Sequence, residues 1–467
     1  MTWITMDRAS GTPLFRQIYA HFRKAILQGE MKSGTALPST RELASALHVS
    51  RNVVVEAYEQ LFAEGYIESR HGSGTYVADG TFLDLARHAL PSIPLAAMTS
   101  SVGTAHADLI DFRHGIPALN QFPRKLWGQL AQRICADTSD EAFGYGKPEG
   151  STELRAVLAQ YLLRTRGVIC EPEQLIITTG ATQAINLIAK LLLPGGKEII
   201  IEDPITKEIH TLFSLPGTTL SPVPADDQGM MTHLLPTDGK PCFIYVTPSH
   251  QFPLGGVLPI QRRVQLIQYA SASDCYIVED DYDSEFRYEG APVSSLQGLD
   301  PDRVIYIGTF SKILSPALRM GYLILPRSLV ETARGLKWLT DLHTPSLEQL
   351  ILARFIEGGY LDRHVAKMKK LYRKRRDYLI QALVHTFADK VTILGYSTGL
   401  HLVAEFTGAV FTPALLAQIE QSGVRVYPVS VHALDKNKHR KRIILGYGNL
   451  SEERIAEGIR RLGSIMQ

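Results

Sequence analysis

The residues best equipped for chemistry in this chain are grouped in Thr309-Phe310-Ser311-Lys312, closed downstream by Pro316 and Arg319-Met320-Gly321. They follow an apolar run, Val304-Ile305-Tyr306-Ile307-Gly308, that reads as a buried strand. Lys312 is therefore expected where a strand gives way to a loop, the usual place for functional side chains. A lysine there can form a Schiff base with an aldehyde. The hydroxyls of Thr309 and Ser311 and the guanidinium of Arg319 offer donors and positive charge suited to a phosphate beside that aldehyde. An aldehyde and a phosphate on one molecule describe pyridoxal phosphate. Ser-x-Lys alone also describes many solvated loops, so the expectation depends on what other elements bring to the same place.

Three further stretches bear on it. Thr178-Thr179-Gly180-Ala181-Thr182-Gln183 joins a strand to a helix through a glycine, presenting backbone amides and hydroxyls at a helix N-terminus, which favours phosphate. Glu279-Asp280-Asp281-Tyr282 ends another strand. Asp280 there can keep a pyridinium nitrogen protonated while the Tyr282 hydroxyl reaches the ring oxygen, although a run of acids at a strand end also suits a helix cap or a metal. Thr247-Pro248-Ser249-His250-Gln251-Phe252-Pro253-Leu254-Gly255 ends a third strand.

The elements that must position these residues alternate. Strand-like runs at 174–178, 198–202, 242–246, 275–279 and 303–307 are interspersed with helical patterns at Gln183 to Leu193, Ile260 to Ala270 and Val330 to Asp341. Such alternation predicts an α/β domain with a mostly parallel sheet, whose ligands bind at the carboxyl ends of the strands.

A chain of 467 residues exceeds what one core supports, so at least two domains are expected. Net charge is +2, which gives no bulk attraction to nucleic acid. The four cysteines, Cys135, Cys170, Cys242 and Cys275, form no Cys-x-x-Cys pair, so neither a metal knuckle nor a disulfide frame is expected. Without a signal-like start or an apolar run of membrane-spanning length, the protein is expected to be cytoplasmic, with no membrane partner.

The N-terminal segment carries a different pattern. Leu14, Ile18, Phe22, Ala25 and Ile26 recur at helical spacing, and Gly29 ends that helix. Ser39 and Glu42 have the spacing of a capping box before a short helix from about Thr40 to Leu47. After His48-Val49, Ser50 can cap a third helix from Arg51 to about Glu64, and two alternating strands flank His71-Gly72-Ser73-Gly74 as a hairpin. Helix, turn, capped helix and hairpin describe a winged helix-turn-helix, and equally a small structural or protein-binding domain. Acids match the bases in this segment, so DNA affinity must come from placement. Arg41, Ser50, Arg51, Asn52, Arg70, His71, Gly72 and Thr75 lie at helix starts or in the wing, where side chains and backbone amides meet bases and phosphates. Asp79 to about Asp108 loses periodicity and reads as a linker, with a faint helical spacing over Phe82 to Leu90.

Leu37-Pro38-Ser39-Thr40-Arg41-Glu42-Leu43-Ala44, Val49-Ser50-Arg51-Asn52-Val53-Val54, Glu64-Gly65-Tyr66-Ile67 and Gly72-Ser73-Gly74-Thr75-Tyr76-Val77 resemble a GntR-type winged helix over residues 12 to 78. The elements from 109 to 467 resemble the fold type I aminotransferases that use pyridoxal phosphate. The two together resemble the MocR/GabR family of transcription regulators. This implies domains at 1–78 (DNA reader), 79–108 (linker) and 109–467 (effector domain), a homodimer, and an operator of double-stranded DNA with two half-sites. It further implies Lys312 as the Schiff-base lysine, Asp280 as partner of the ring nitrogen and Tyr282 as donor to the ring oxygen. Gly180, Ala181, Thr182, Thr309, Ser311 and Arg319 would form the phosphate cup, with Tyr145 reaching a phosphate across the dimer.

Departures from the aminotransferase pattern are specific. Phe252 stands where those enzymes place an asparagine before Pro-x-Gly, so Tyr282, with His250 or Gln251, is left to serve the ring oxygen. Ile205-Thr206-Lys207 replaces a Gly-Tyr with a nearby arginine, and Arg425 and Arg442 are candidates, with Lys207, for binding an effector. Three functions follow: a regulator sensing a small amine or amino acid through an external aldimine at Lys312, a working aminotransferase with an accessory DNA domain, or a regulator for which the cofactor is itself the signal.

Overall fold

The computed structural model describes residues 4–70, 74–82, 108–194, 198–214 and 216–466. Contacts divide the chain into two compact units, Met1–Gly103 and Thr104–Gln467. Most of the expected linker, including the helical spacing after Phe82, lies outside the described residues, as do His71 and Gly72.

In the first unit, helix Leu14–Leu27 buries Ile18, Phe22, Ala25 and Ile26, the face set by their spacing. The capping box forms. Ser39 Oγ accepts from the Glu42 amide at 3.2 Å, and the Glu42 carboxylate accepts from the Ser39 amide at 2.9 Å. Helix Thr40–Leu47 then ends at His48, which takes the left-handed conformation (φ 52°) that turns the chain into helix Arg51–Ala63. Ser50 occupies the N-cap position of that helix, but its hydroxyl makes no capping bond, contrary to expectation. Val54, Ala57, Tyr58 and Leu61 face the core, with Tyr58 edge-on to Phe22 at 5.9 Å. Strands Ile67–Arg70 and Gly74–Val77 pair antiparallel as the wing. A two-residue strand, Ala36–Leu37, completes this sheet; it is too short to show any period in sequence.

The second unit is built on an eight-stranded sheet. Its order is Leu175–Thr178, Gly321–Ile324, Val304–Thr309, Tyr276–Asp281, Pro241–Val246, Glu198–Asp203, Thr219–Asp226 and Gly229–Met230. The five strands from Val304–Thr309 to Thr219–Asp226 pair in parallel, and Gly321–Ile324 runs antiparallel between its two neighbours. Every residue of Val304–Thr309 is buried, as expected for a strand covered on both faces. Ile305 and Ile307 pack with Ile185 and Ile188 of helix Ala181–Leu192, while Val304 packs with Leu266 and Ala270 of helix Ile260–Ala272 on the other face. Gly321–Ile324 was not foreseen as a strand. Its pairing of Gly321 with Thr309 ties both ends of the Lys312 loop to adjacent sheet positions.

A C-terminal sheet, in the order Val391–Leu394, His401–Phe406, Arg442–Gly446 and Tyr427–Pro428, packs with helices Tyr360–Phe387 and Glu452–Met466. The short strand Ile110–Asp111 pairs with Val424–Arg425, and Phe112 accepts from the Gly446 amide at 2.8 Å. This leads Arg113, His114 and Gly115 to the ends of the main strands. No described helix is long and apolar enough to cross a membrane.

Candidate functional site

A cavity of about 360 Å³ opens at the carboxyl ends of the parallel strands, where the topology places ligands. Lys312, Asp280, Tyr282, Ala181, Thr182, Thr309, Ser311 and Arg319 all line it, although they come from three separate stretches of chain. Gly180 is not itself in the wall but is the N-cap residue of the helix that begins with Ala181.

Lys312 Nζ donates to the Gly115 carbonyl at 2.8 Å. Burial lowers its pKa from the ordinary lysine value, with Asp283 and Asp280 pulling the other way and Arg113 and Arg319 adding to the fall. A lowered ammonium pKa enlarges the fraction of neutral amine, the nucleophilic form. Gly115 has φ 69°, and a Cβ there would lie 2.7 Å from Nζ, so the approach of lysine to carbonyl requires glycine.

Asp280 is at the floor of the cavity. The Tyr245 hydroxyl donates to Oδ2 at 2.5 Å, while Oδ1 is buried with no partner among the described residues. Burial pushes the carboxyl up to about 6, opposed by the Tyr245 hydrogen bond. A buried carboxylate oxygen in that state calls for a charged N–H donor.

At the opposite wall, Gly180 (φ 95°) precedes helix Ala181–Leu192, whose N-terminal amides face the cavity. Arg319 crosses the helix mouth and donates from Nη2 to the Thr179 carbonyl at 2.8 Å. Thr309 Oγ1 accepts from the Ser311 amide at 3.2 Å, which fixes the turn into Lys312. Amides at a helix N-terminus, two hydroxyls and a guanidinium are donors of the kind that suits a phosphate. Together with the Lys312 amine and the unmatched Asp280 oxygen, this donor set fits pyridoxal phosphate.

Other candidates lie elsewhere. His250 is packed behind Tyr282, ring centroids 5.6 Å apart, with Nδ1 2.9 Å from Asp283. The Tyr282 hydroxyl donates to the His250 carbonyl at 2.9 Å, so His250 supports Tyr282 and does not line the cavity. Gln251 is engaged internally, donating to the carbonyls of Pro204 and Phe252. Arg425 is paired with Glu420 at 2.5 Å, and Arg442 donates from Nε to Glu405 at 3.0 Å. Neither lines the cavity, and neither does Lys207, an exposed residue between the wall residues Thr206 and Glu208. Tyr145 is 82% exposed and stands apart from the cavity wall. Sequence reasoning missed Arg113, His114, Gly115 and Tyr245, all wall residues. A glycine in an Arg-His-Gly-Ile-Pro turn was the only available hint.

In the first unit, Arg41, Ser50, Arg51 and Asn52 are exposed at the starts of two successive helices. Arg51 Nε donates to Thr40 Oγ1 at 3.3 Å, linking those helices. On the wing, Arg70 lies 3.0 Å from Glu68 and over the Tyr76 ring, and Thr75 is half-buried on the facing strand.

Residues 14–77 match the gntR family of bacterial regulatory proteins, and residues 107–462 match aminotransferase class I and II. The chain is 36% identical over 458 residues to the HTH-type transcriptional regulator YdeL of Bacillus subtilis, covering 98% of this chain and 97% of that one. It is 36% identical over 471 residues to the probable rhizopine catabolism regulatory protein MocR of Rhizobium meliloti, covering 99% and 95%. LysN, an α-aminoadipate aminotransferase from Thermus thermophilus solved with N-(5'-phosphopyridoxyl)-L-leucine, is 29% identical with a TM-score of 0.71, covering 77% of this chain and 92% of its own. Because the match to the regulators runs through both units in the same order, the chain belongs to the MocR family of HTH-type transcriptional regulators, in which a GntR-type winged helix precedes an aminotransferase-like domain.

Proposed function

We propose that this protein is a cytoplasmic DNA-binding regulator that holds pyridoxal phosphate at Lys312 and uses it to sense a small amine or amino acid. The observation that carries this reading is the convergence of Lys312, the unmatched Asp280 oxygen and the phosphate cup on one cavity. When bound, the cofactor supplies an aldehyde carbon that exchanges one primary amine for another. Lys312, its pKa lowered by burial, would be the resident amine held against that carbon. Asp280 would keep the ring nitrogen protonated, Tyr282 would donate to the ring oxygen once its hydroxyl turned from the His250 carbonyl, and Gly180, Ala181, Thr182, Thr309, Ser311 and Arg319 would hold the phosphate. Phe252 presents an apolar face to the cavity where an aminotransferase has an amide donor, which favours sensing over turnover.

A titration of operator binding, first with cofactor alone and then with candidate amines, tests the reading. Operator affinity is expected to move when an amine is added to the cofactor-loaded protein. Sustained conversion of a keto acid would favour the aminotransferase, and a response to cofactor with none to any amine would make the cofactor the signal.

The DNA reader comprises residues 1–78 and the effector domain 109–467. Arg51→Ala is expected to weaken operator binding by about 1–3 kcal/mol if Arg51 reads a base, leaving cofactor absorption unchanged. Arg70→Ala should weaken it less, because Glu68 already engages that side chain. Fluorescence anisotropy with labelled operator measures both, and wild-type affinity in both would remove the winged helix from DNA recognition.

Tyr145, exposed in one chain, is the residue by which a second copy would complete the phosphate cup. A dimer fixes the spacing of two readers and hence of two operator half-sites. Tyr145→Phe is expected to lower cofactor retention on gel filtration while the protein still sediments as a dimer. A monomer that keeps its cofactor would overturn the assignment.

A further inference from the structure

Five charged side chains line the cavity: Arg113, Glu208, Asp280, Lys312 and Arg319. The last three are accounted for by the cofactor. Arg113 is exposed, and among the described residues its guanidinium has neither a hydrogen bond nor an ion pair. Its charge nevertheless reaches Lys312, where it disfavours the ammonium form. The three residues named from sequence as effector contacts are in a different state, since Arg425 and Arg442 are tied to carboxylates and Lys207 is outside the wall.

The neighbouring His114 adds a second polar group. Its ring packs 4.9 Å from Phe252 and 5.8 Å from His432, and Nδ1 is buried without a partner among the described residues. Burial pushes its pKa down to about 3, so the ring is neutral and carries one N–H and one lone pair, one of them at Nδ1. The carbonyl two residues beyond Arg113 already receives Lys312. One short segment therefore carries the hydrogen bond that holds the reactive amine and the uncommitted cation beside it.

We propose that Arg113, with His114 beside it, is the anchor for an anionic group on the effector, so that the effector is a primary amine carrying a carboxylate or a comparable anion. The assignment rests on the reading that amines are sensed at Lys312, and it narrows that ligand class. Glu208, the remaining wall charge, disfavours a second anion. Dicarboxylic amines are accordingly poor effectors. Arginine suits the task because its planar fork meets a carboxylate through two parallel hydrogen bonds.

The test uses the full-length, cofactor-loaded protein and amines in matched pairs: ω-amino acids of two to five carbons, each against the n-alkylamine of equal carbon count. The readout is the midpoint of the change in cofactor absorption. Both members of a pair depend equally on the basicity of Lys312, so their ratio isolates the anionic group. Wild-type protein is expected to favour at least one amino acid over its paired amine by about tenfold, the effect of one charge-assisted bond pair. In Arg113→Met that ratio should fall to near one, and Arg113→Lys should restore part of it. A wild-type ratio near one for every pair, or a ratio unchanged in Arg113→Met, would overturn the proposal. If no amine alters the absorption of wild-type protein, the sensing reading itself fails and the anchor falls with it.

Discussion

Lys312→Ala protein is expected to carry no covalent cofactor. After borohydride reduction, the wild-type peptide containing residue 312 should gain the mass of a phosphopyridoxyl group, and the variant peptide should not. The fold should survive, because Lys312 adds little to any of the packed clusters and makes one side-chain hydrogen bond, to the Gly115 carbonyl. Removing it also removes a buried cation, whose desolvation opposes folding. The thermal midpoint of the variant without cofactor should therefore match or exceed that of wild-type protein without cofactor. A reduced adduct on another lysine of the variant, at wild-type yield, would reject Lys312 as the anchor.

Gly180→Val should weaken cofactor binding by about ten- to a hundredfold. Backbone at φ 95° disfavours a β-branched residue, at a cost of about 1–3 kcal/mol to the stability of the fold. A Cβ at this position would lie 2.8 Å from Arg319 Nη2, so the guanidinium must leave the helix mouth. Displacing it loses a charge-assisted phosphate contact, worth about 1.5–3 kcal/mol. Equilibrium titration of the cofactor-free protein with pyridoxal phosphate measures the change, and circular dichroism confirms the fold. Wild-type affinity in a folded variant would mean that the phosphate lies elsewhere.

Local signals were legible in the sequence, and long-range ones were not. The Ser39–Glu42 capping box and the helix it starts follow from neighbouring residues alone, and the structure has both. Runs such as Val304 to Gly308 announce central strands because burial on both faces demands continuous apolar residues. Gly321–Ile324 escaped notice because four residues show no period and Gly321 looked like the end of the lysine loop. Arg442 looked available until its strand partner placed Glu405 opposite. Tyr245 looked like one more apolar strand residue, and only the sheet reveals that its hydroxyl reaches Asp280. Gly115 and Lys312 are 197 residues apart, a separation across which no local pattern carries information.

That last contact bears on how a message leaves the cavity. An ammonium has three N–H donors, and a lysine nitrogen joined to a carbonyl carbon keeps at most one. Covalent engagement of Lys312 thus competes with its bond to the Gly115 carbonyl. Gly115 lies seven positions after Asp108, where the described part of this unit begins, on the segment that continues toward the DNA reader. Occupancy of one amine thereby decides whether the segment around Gly115 keeps its hydrogen bond to the Lys312 loop. Amide exchange over residues 110–118 should accordingly be slower with Lys312 free than with it engaged, and faster again in Lys312→Ala.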